Sequence, residues 1–264
     1  MRDEQVMDRS QGRVKGFVWP CLRVFKDDIG QLDAEIQLTQ VAVQDMLARA
    51  DASGDRQLFV RDLAATRGVP VNAQKPEAVA NHVARLYIVA VNSALDGFLR
   101  DLQDERPGGQ WPLKDENQHA LTAPEAARRF LGLPESPECQ VIDYYWRIRN
   151  TVAHRLARVP NLPCNLPADL PRHGAPHLPA DLDYHDFILY TACVKRFAYA
   201  VSAKARPSDD WFRGKVAEQK HLKGTSLTEA RYRDRCANWL HCEYGLGRQE
   251  ALDIVSEGLV RPVV

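Results

Sequence analysis

The chain lacks most of the signals that announce a common enzyme class. Its six cysteines (Cys21, Cys139, Cys164, Cys193, Cys236 and Cys242) are scattered, and no two stand in the C-x-x-C spacing of a zinc ribbon or a redox pair. At 264 residues the chain can bury a core without cross-links, so a reducing cytosol is the expected compartment. No stretch approaches the roughly 18 consecutive apolar residues needed to span a bilayer. The opening Met1-Arg2-Asp3-Glu4-Gln5 is charged rather than apolar, so a cytoplasmic protein that makes no membrane contact is predicted. There is no G-x-x-x-x-G-K-[ST] loop, no G-x-G-x-x-G turn after a strand and no G-x-S-x-G elbow, which disfavours nucleotide hydrolases and serine hydrolases. Neither an internal repeat nor a sustained strand alternation is present.

Charge of one sign is also missing overall, with 35 basic and 35 acidic side chains, but the balance is uneven along the chain. Residues 26 to 62 hold eight acidic against four basic side chains, and residues 195 to 235 hold eleven basic against five acidic. The second stretch is a candidate face for phosphates. Ordinary solvated helix faces produce the same imbalance.

What the sequence does have is helical periodicity, and an all-α fold follows from it. From Pro76 to about Gln103 the residues Val79, Val83, Leu86, Ala90, Ala94, Phe98 and Leu102 form one stripe, closed by Arg106-Pro107-Gly108-Gly109. Thr122-Ala123-Pro124-Glu125 has the form of a capping box that opens a short helix ending near Gly132. A third helix runs from about Pro137 to Leu156, with Val141, Tyr145, Ile148, Val152 and Leu156 on one face. A proline-rich insert at 158–181 cannot be regular, and a fourth helix spans Leu182 to about Lys204. These four form the expected bundle, 75–205. Before it, 31 to 52 is predicted helical within an N-terminal extension, 1–74. After it, 208 to 222, 227 to 244 and 248 to 258 are short helices of a C-terminal region, 206–264.

One segment of the third helix, Arg149-Asn150-Thr151-Val152-Ala153-His154, carries a candidate chemistry. An Arg followed five positions later by a His is weak by itself, since on the order of one match is expected by chance. Arg172 and His177 repeat the bare spacing inside the proline-rich insert, where no regular element fixes two side chains relative to each other. The first copy is set apart by Asn150 directly after the Arg, Ala153 directly before the His, and the apolar helix leading in. Together these residues resemble the R-N-x-x-A-H motif of the HEPN superfamily. Ser93 to Arg100 is similar to the first helix of several HEPN families, so the resemblance covers roughly 75 to 205. The insert and both flanks depart from it and leave the subfamily open.

That resemblance implies a HEPN-like helical bundle and a metal-independent endoribonuclease, with no cofactor, in which the RNA 2′-hydroxyl attacks the neighbouring phosphorus. Such a reaction needs proton transfer near neutral pH and stabilisation of negative charge, which His and Arg supply. In this reading His154 is the general acid or base, Arg149 holds the scissile phosphate and Asn150 orients the site. Arg147 and Arg155 add phosphate contacts, and Tyr145, with Tyr144 and Trp146, is a candidate for stacking on bases, while the helical spacing assigns two of these three aromatics to the core. Asp96 is a candidate carboxylate aligning Arg149 or His154. On an ideal helix Arg149 and His154 lie about 140° apart, whereas Asn150 and His154 differ by about 40°. The family is implied to complete such a site by pairing two subunits, so a two-fold homodimer is predicted. RNA is the expected partner, and an antitoxin or nucleotidyltransferase partner belongs to the same toxin–antitoxin or antiviral setting.

Plainer readings stand beside these. Arg149 and His154 can simply pair with surface carboxylates near a helix C-terminus, where cations are favoured, and Asp96 can be an ordinary solvated position. The whole module can be non-catalytic and bind a nucleotide, an RNA or a protein. Cys236, His241 and Cys242 lack a fourth ligand and standard spacing for zinc. A metal at His173, His177 and His185 would need carboxylates such as Asp169 or Asp183, and the preferred expectation is no metal.

Overall fold

A computed structural model describes residues 16–69, 76–154, 174–219, 222 and 228–257; of residues 76–78 and 153–154 it describes the backbone only. Among these residues the chain is all-α, with α1 (Pro20–Ala52), α2 (Arg56–Thr66), α3 (Pro76–Glu105), α4 (Ala123–Phe130), α5 (Pro137–His154), α6 (Tyr184–Lys204), α7 (Asp209–Glu218), α8 (Glu229–Tyr244) and α9 (Arg248–Ser256).

Local sequence sets the helix ends. Pro20 and Pro124 stand in first turns, where no amide is lost. Thr122 accepts from the Glu125 N–H at 3.3 Å, one half of the expected box, while the Glu125 carboxylate takes Arg129 instead. Asp183 caps α6 and forms the full reciprocal box with Asp186.

The sequence alone placed the start of the first helix near residue 31 and left 13 to 25 unassigned. The structure starts α1 at Pro20 and carries it through Gly30 for 33 residues. Tertiary packing explains the difference. Leu22, Ile29, Ile36, Val43 and Ala50 are buried at intervals of seven, and α3 answers with Ala84, Val91, Phe98 and with Ile88, Leu95, Leu102 at the same interval. A seven-residue repeat keeps one stripe of each helix facing its neighbour over many turns, which outweighs the roughly 1 kcal/mol helix penalty of a single glycine.

The four long helices run up and down. The Cys21 N–H lies 3.5 Å from Glu105 Oε2, so α1 and α3 are antiparallel. Contacts of Tyr145 with Asp186 and of Arg196 with Glu138 make α5 and α6 antiparallel. Asn81 Nδ2 donates to the Leu182 carbonyl and Tyr87 packs on Phe187, so α3 and α6 run the same way. The C-terminal end of α5 therefore shares one end of the bundle with the starts of α3 and α6.

The flanking segments close the opposite end. Phe17, Trp19, Trp211, Phe212 and Tyr244 form an aromatic cluster, with Phe17 and Trp19 ring centres 5.2 Å apart and Trp211 and Tyr244 5.6 Å apart. The Val18 N–H donates to the Tyr244 carbonyl at 2.7 Å. Gly245 adopts a left-handed φ of 67° to end α8, and a Cβ there would stand 2.9 Å from the Gly16 carbonyl oxygen. One buried core thus runs from Val18 to Val255, through the stretches that the sequence divided into extension, bundle and C-terminal region.

Candidate functional site

The first half of α5 is fastened on its inner side. Val141, Ile142, Tyr145, Ile148 and Val152 are all buried. Tyr145 was expected to stack on RNA bases, and the structure corrects this: it is 0 % exposed, packs against Tyr190 at 4.8 Å between ring centres and donates to Asp186 Oδ1 at 2.6 Å. Burial and the neighbouring Asp186 carboxylate push its phenol well above the usual range. A ring with no exposed face cannot stack on a ligand. Tyr144 and Trp146 are also buried, so all three aromatics serve the core.

Asp186 is the residue that periodicity did not reveal. It is fully buried and receives four hydrogen bonds. Oδ1 accepts from the Tyr145 hydroxyl at 2.6 Å and the His177 amide at 2.9 Å; Oδ2 accepts from the Asp183 amide at 2.9 Å and His177 Nδ1 at 2.9 Å. The Tyr144 hydroxyl adds a bond to the His177 carbonyl at 2.7 Å. His177, a decoy by sequence, is the clasp that returns the insert to α5 and α6. Its imidazole pKa is raised, first by the Asp186 hydrogen bond and then by the nearby acidic charges.

His177, Asp183 and Asp186 bring one ligand atom each within 4.8 Å of one another, a grouping able to hold a metal ion. Asp183, named in the sequence as a carboxylate such a site would need, is part of it. The Asp186 oxygens, however, already take two donors each, about the four that a carboxylate accommodates. The arrangement is accounted for as a helix cap with its clasp.

Beyond Ile148 the character of α5 changes. Arg149 is half-buried, with its guanidinium 5.9 Å from the Trp146 ring centre and Nη1 donating to Asn150 Oδ1 at 3.0 Å. Among the described residues Arg149 has no carboxylate partner, and its Nε is shielded without a hydrogen-bond partner. Asn150 is exposed. The helical backbone continues through His154, whose side chain lies outside the described residues, as do Arg155, Arg172, His173 and most of the insert.

The remaining candidates are held by neighbours on their own helices. Arg147 is exposed and pairs with Asp143 at 2.7 Å. Asp96 pairs with Arg100 one turn along α3. Cys236 is buried, and the His241 ring nitrogen Nδ1 is 2.6 Å from the Leu246 carbonyl, at the end of α8.

Comparisons with protein-family models, with curated proteins and with solved structures find no match to the chain.

Proposed function

We propose that the chain is a HEPN-type endoribonuclease that cleaves RNA by attack of its own 2′-hydroxyl, with the end of α5 as the active segment. The observation that carries this reading is the state of Arg149. A guanidinium with no carboxylate partner among the described residues, partly desolvated and steadied by a ring and an amide oxygen, suits an incoming phosphate better than a structural ion pair. Among the described residues the plainer account, a cation neutralised by surface carboxylates, fits Arg147 and not Arg149.

In this mechanism a base removes the 2′-OH proton and the 2′ oxygen bonds to phosphorus. The P–O5′ bond breaks, and the departing 5′ oxygen takes a proton. The products are a 2′,3′-cyclic phosphate and a 5′-hydroxyl. His154 supplies a proton transfer, Arg149 meets the charge that builds on the phosphoryl oxygens, and Asn150 holds Arg149 in place by the bond already present. Two subunits related by a two-fold axis bring two such helix ends to one cleft, which provides separate groups for accepting and donating the proton. A prokaryotic toxin or antiviral role, with an antitoxin or nucleotidyltransferase partner, belongs to the same proposal.

The test is incubation of the purified protein with total RNA in EDTA beside His154→Ala protein, followed by analysis of the new ends. Cleavage by the wild type alone, leaving cyclic phosphates, is expected. Intact RNA with both proteins, or equal cleavage by both, removes the assignment and leaves a non-catalytic binding module as the reading.

A further inference from the structure

Helix α1 carries two stripes at coiled-coil spacing, and only one of them is covered. Leu22, Ile29, Ile36, Val43 and Ala50 are buried in the core. About 170° around the helix by the helical repeat, Gln31, Ala34, Leu38, Val41, Asp45 and Ala48 follow one another at alternating steps of three and four residues, and all are exposed. Leu38, at 73 %, is the most exposed large apolar side chain among the described residues, and Val41, one turn on, is 64 % exposed. A single exposed leucine needs no explanation. The spacing does, because a stripe of this period keeps two helices in contact over many turns. Helix α2 lies beside the same stretch, with Arg49 over the Phe59 ring at 5.6 Å, and none of its own side chains is buried.

The charges along the outer stripe select the occupant. A second copy running antiparallel, with a two-fold axis between Leu38 and Val41, sets each Leu38 against Val41 of the other copy at the centre. Ala34 then meets Asp45, and Gln31 meets Ala48 at the ends. On one flank Asp28, exposed and without a partner among the described residues, comes opposite Arg49 of the second copy. Arg49 is itself exposed and only loosely held by Asp45, at 3.7 Å on its own helix. On the other flank Gln37 meets Gln44, and two amides can bond each other.

The remaining acidic groups meet no like charge. Glu35, which accepts from Gln31 at 3.1 Å on its own helix, faces Ala42. Asp27 faces Ala52, and Asp51 pairs with Arg56 of its own chain. A parallel pair would instead set Asp45 against Asp45 within the seam, where like charges repel. The face therefore complements an inverted copy of itself.

We propose that the outer face of α1 is a self-association surface on which a second copy of the chain docks as an antiparallel coiled coil centred between Leu38 and Val41. The seam is about 27 Å long and its apolar centre is small, so association in the micromolar range is expected. It uses the side of α1 turned away from the core and no residue of α5, so it stands apart from the ribonuclease reading. Where pairing through α5 forms as well, the two interfaces together make an assembly of four chains.

Sedimentation equilibrium of the full-length protein, up to about 200 µM, tests the proposal. Reversible association is expected. Leu38→Glu combined with Val41→Glu brings four carboxylates, two from each copy, to the centre of the seam and should weaken association by about a hundredfold or more. Asp28→Arg and Arg49→Asp each set like charges opposite one another and should each weaken association by about threefold or more. The two together restore opposite charges and should return association to the wild-type level. All four positions are exposed, and melting curves check that each variant folds. A monomer throughout the concentration range, unaltered association of the folded double-glutamate variant, or a charge-swapped protein that associates no better than either single variant overturns the proposal.

Discussion

The two halves of α5 are built on opposite principles. Up to Ile148 the inward-facing side chains are buried; the Tyr145 hydroxyl is bound to a carboxylate that is itself saturated, and the Tyr144 hydroxyl to the His177 carbonyl. From Arg149 onward only Val152 is buried among the described side chains of α5; Arg149 has no carboxylate partner among the described residues and Asn150 faces solvent. The inner face of α5 is taken up by packing and bound hydroxyls, while Arg149 and Asn150 bond to each other toward its end. The clasp of His177 and Asp186 sits at the same end of the bundle and holds the returning chain against that helix. In the proposed reading the first half of α5 serves stability and the second half chemistry.

The largest effect is expected at the unpartnered end. Arg149→Ala should lower RNA cleavage by about a hundredfold or more, the scale for removing a group that stabilises transition-state charge. Its melting temperature should stay within about 2 °C of wild type, because Arg149 makes no ion pair among the described residues. Arg147→Ala, which removes an exposed pair to Asp143, should change cleavage by less than about tenfold and stability by less than about 1 kcal/mol. If Arg149→Ala instead unfolds the protein while cleaving normally per folded molecule, the division of α5 into two roles is wrong.

The next effect lies in the first half and should appear in stability. Asp186→Ala strands the Tyr145 hydroxyl, two amides and the His177 ring nitrogen, which together should cost roughly 3 kcal/mol or more. For a chain of this length that lowers the melting temperature by on the order of 10 °C. Tyr145→Phe removes only one of the four donors and should cost about 1 kcal/mol. Equal melting temperatures for Asp186→Ala and wild type in a thermal scan would mean that the clasp does not hold the fold.

How much of this was legible in the sequence depends on the range of the interaction. Helix positions followed from Pro76 and Thr122, whose signals act within one turn, and from the apolar stripe that begins at Leu182. The start of α1 did not, because Leu22 and Ile29 are helical through their packing on α3, a partner far along the chain. Tyr145 was misjudged for the same reason. Its position allowed either a core or an exposed role, and only Asp186, 41 residues later, decides between them. The Arg149-Asn150 contact is local and agrees with the adjacency noted in the sequence.

The smallest effect tests the clasp through its one titrating member. Asp186 bonding, with Asp183 and Asp181 nearby, raises the His177 pKa above its unfolded value near 6.5. A raised pKa means that the imidazolium contributes stability fully below the unfolded value and loses it as pH rises through the folded one. His177→Gln cannot titrate, so the gap in melting temperature between wild type and variant should be widest near pH 6 and close progressively above it. The ring is partly open to solvent, so the change should amount to a few degrees. A gap that stays constant from pH 6 to 9 would show that the His177 bond to Asp186 holds equally with a neutral ring. The amide bond from His177 to Asp186 Oδ1, which has no titrating proton, would then carry the clasp.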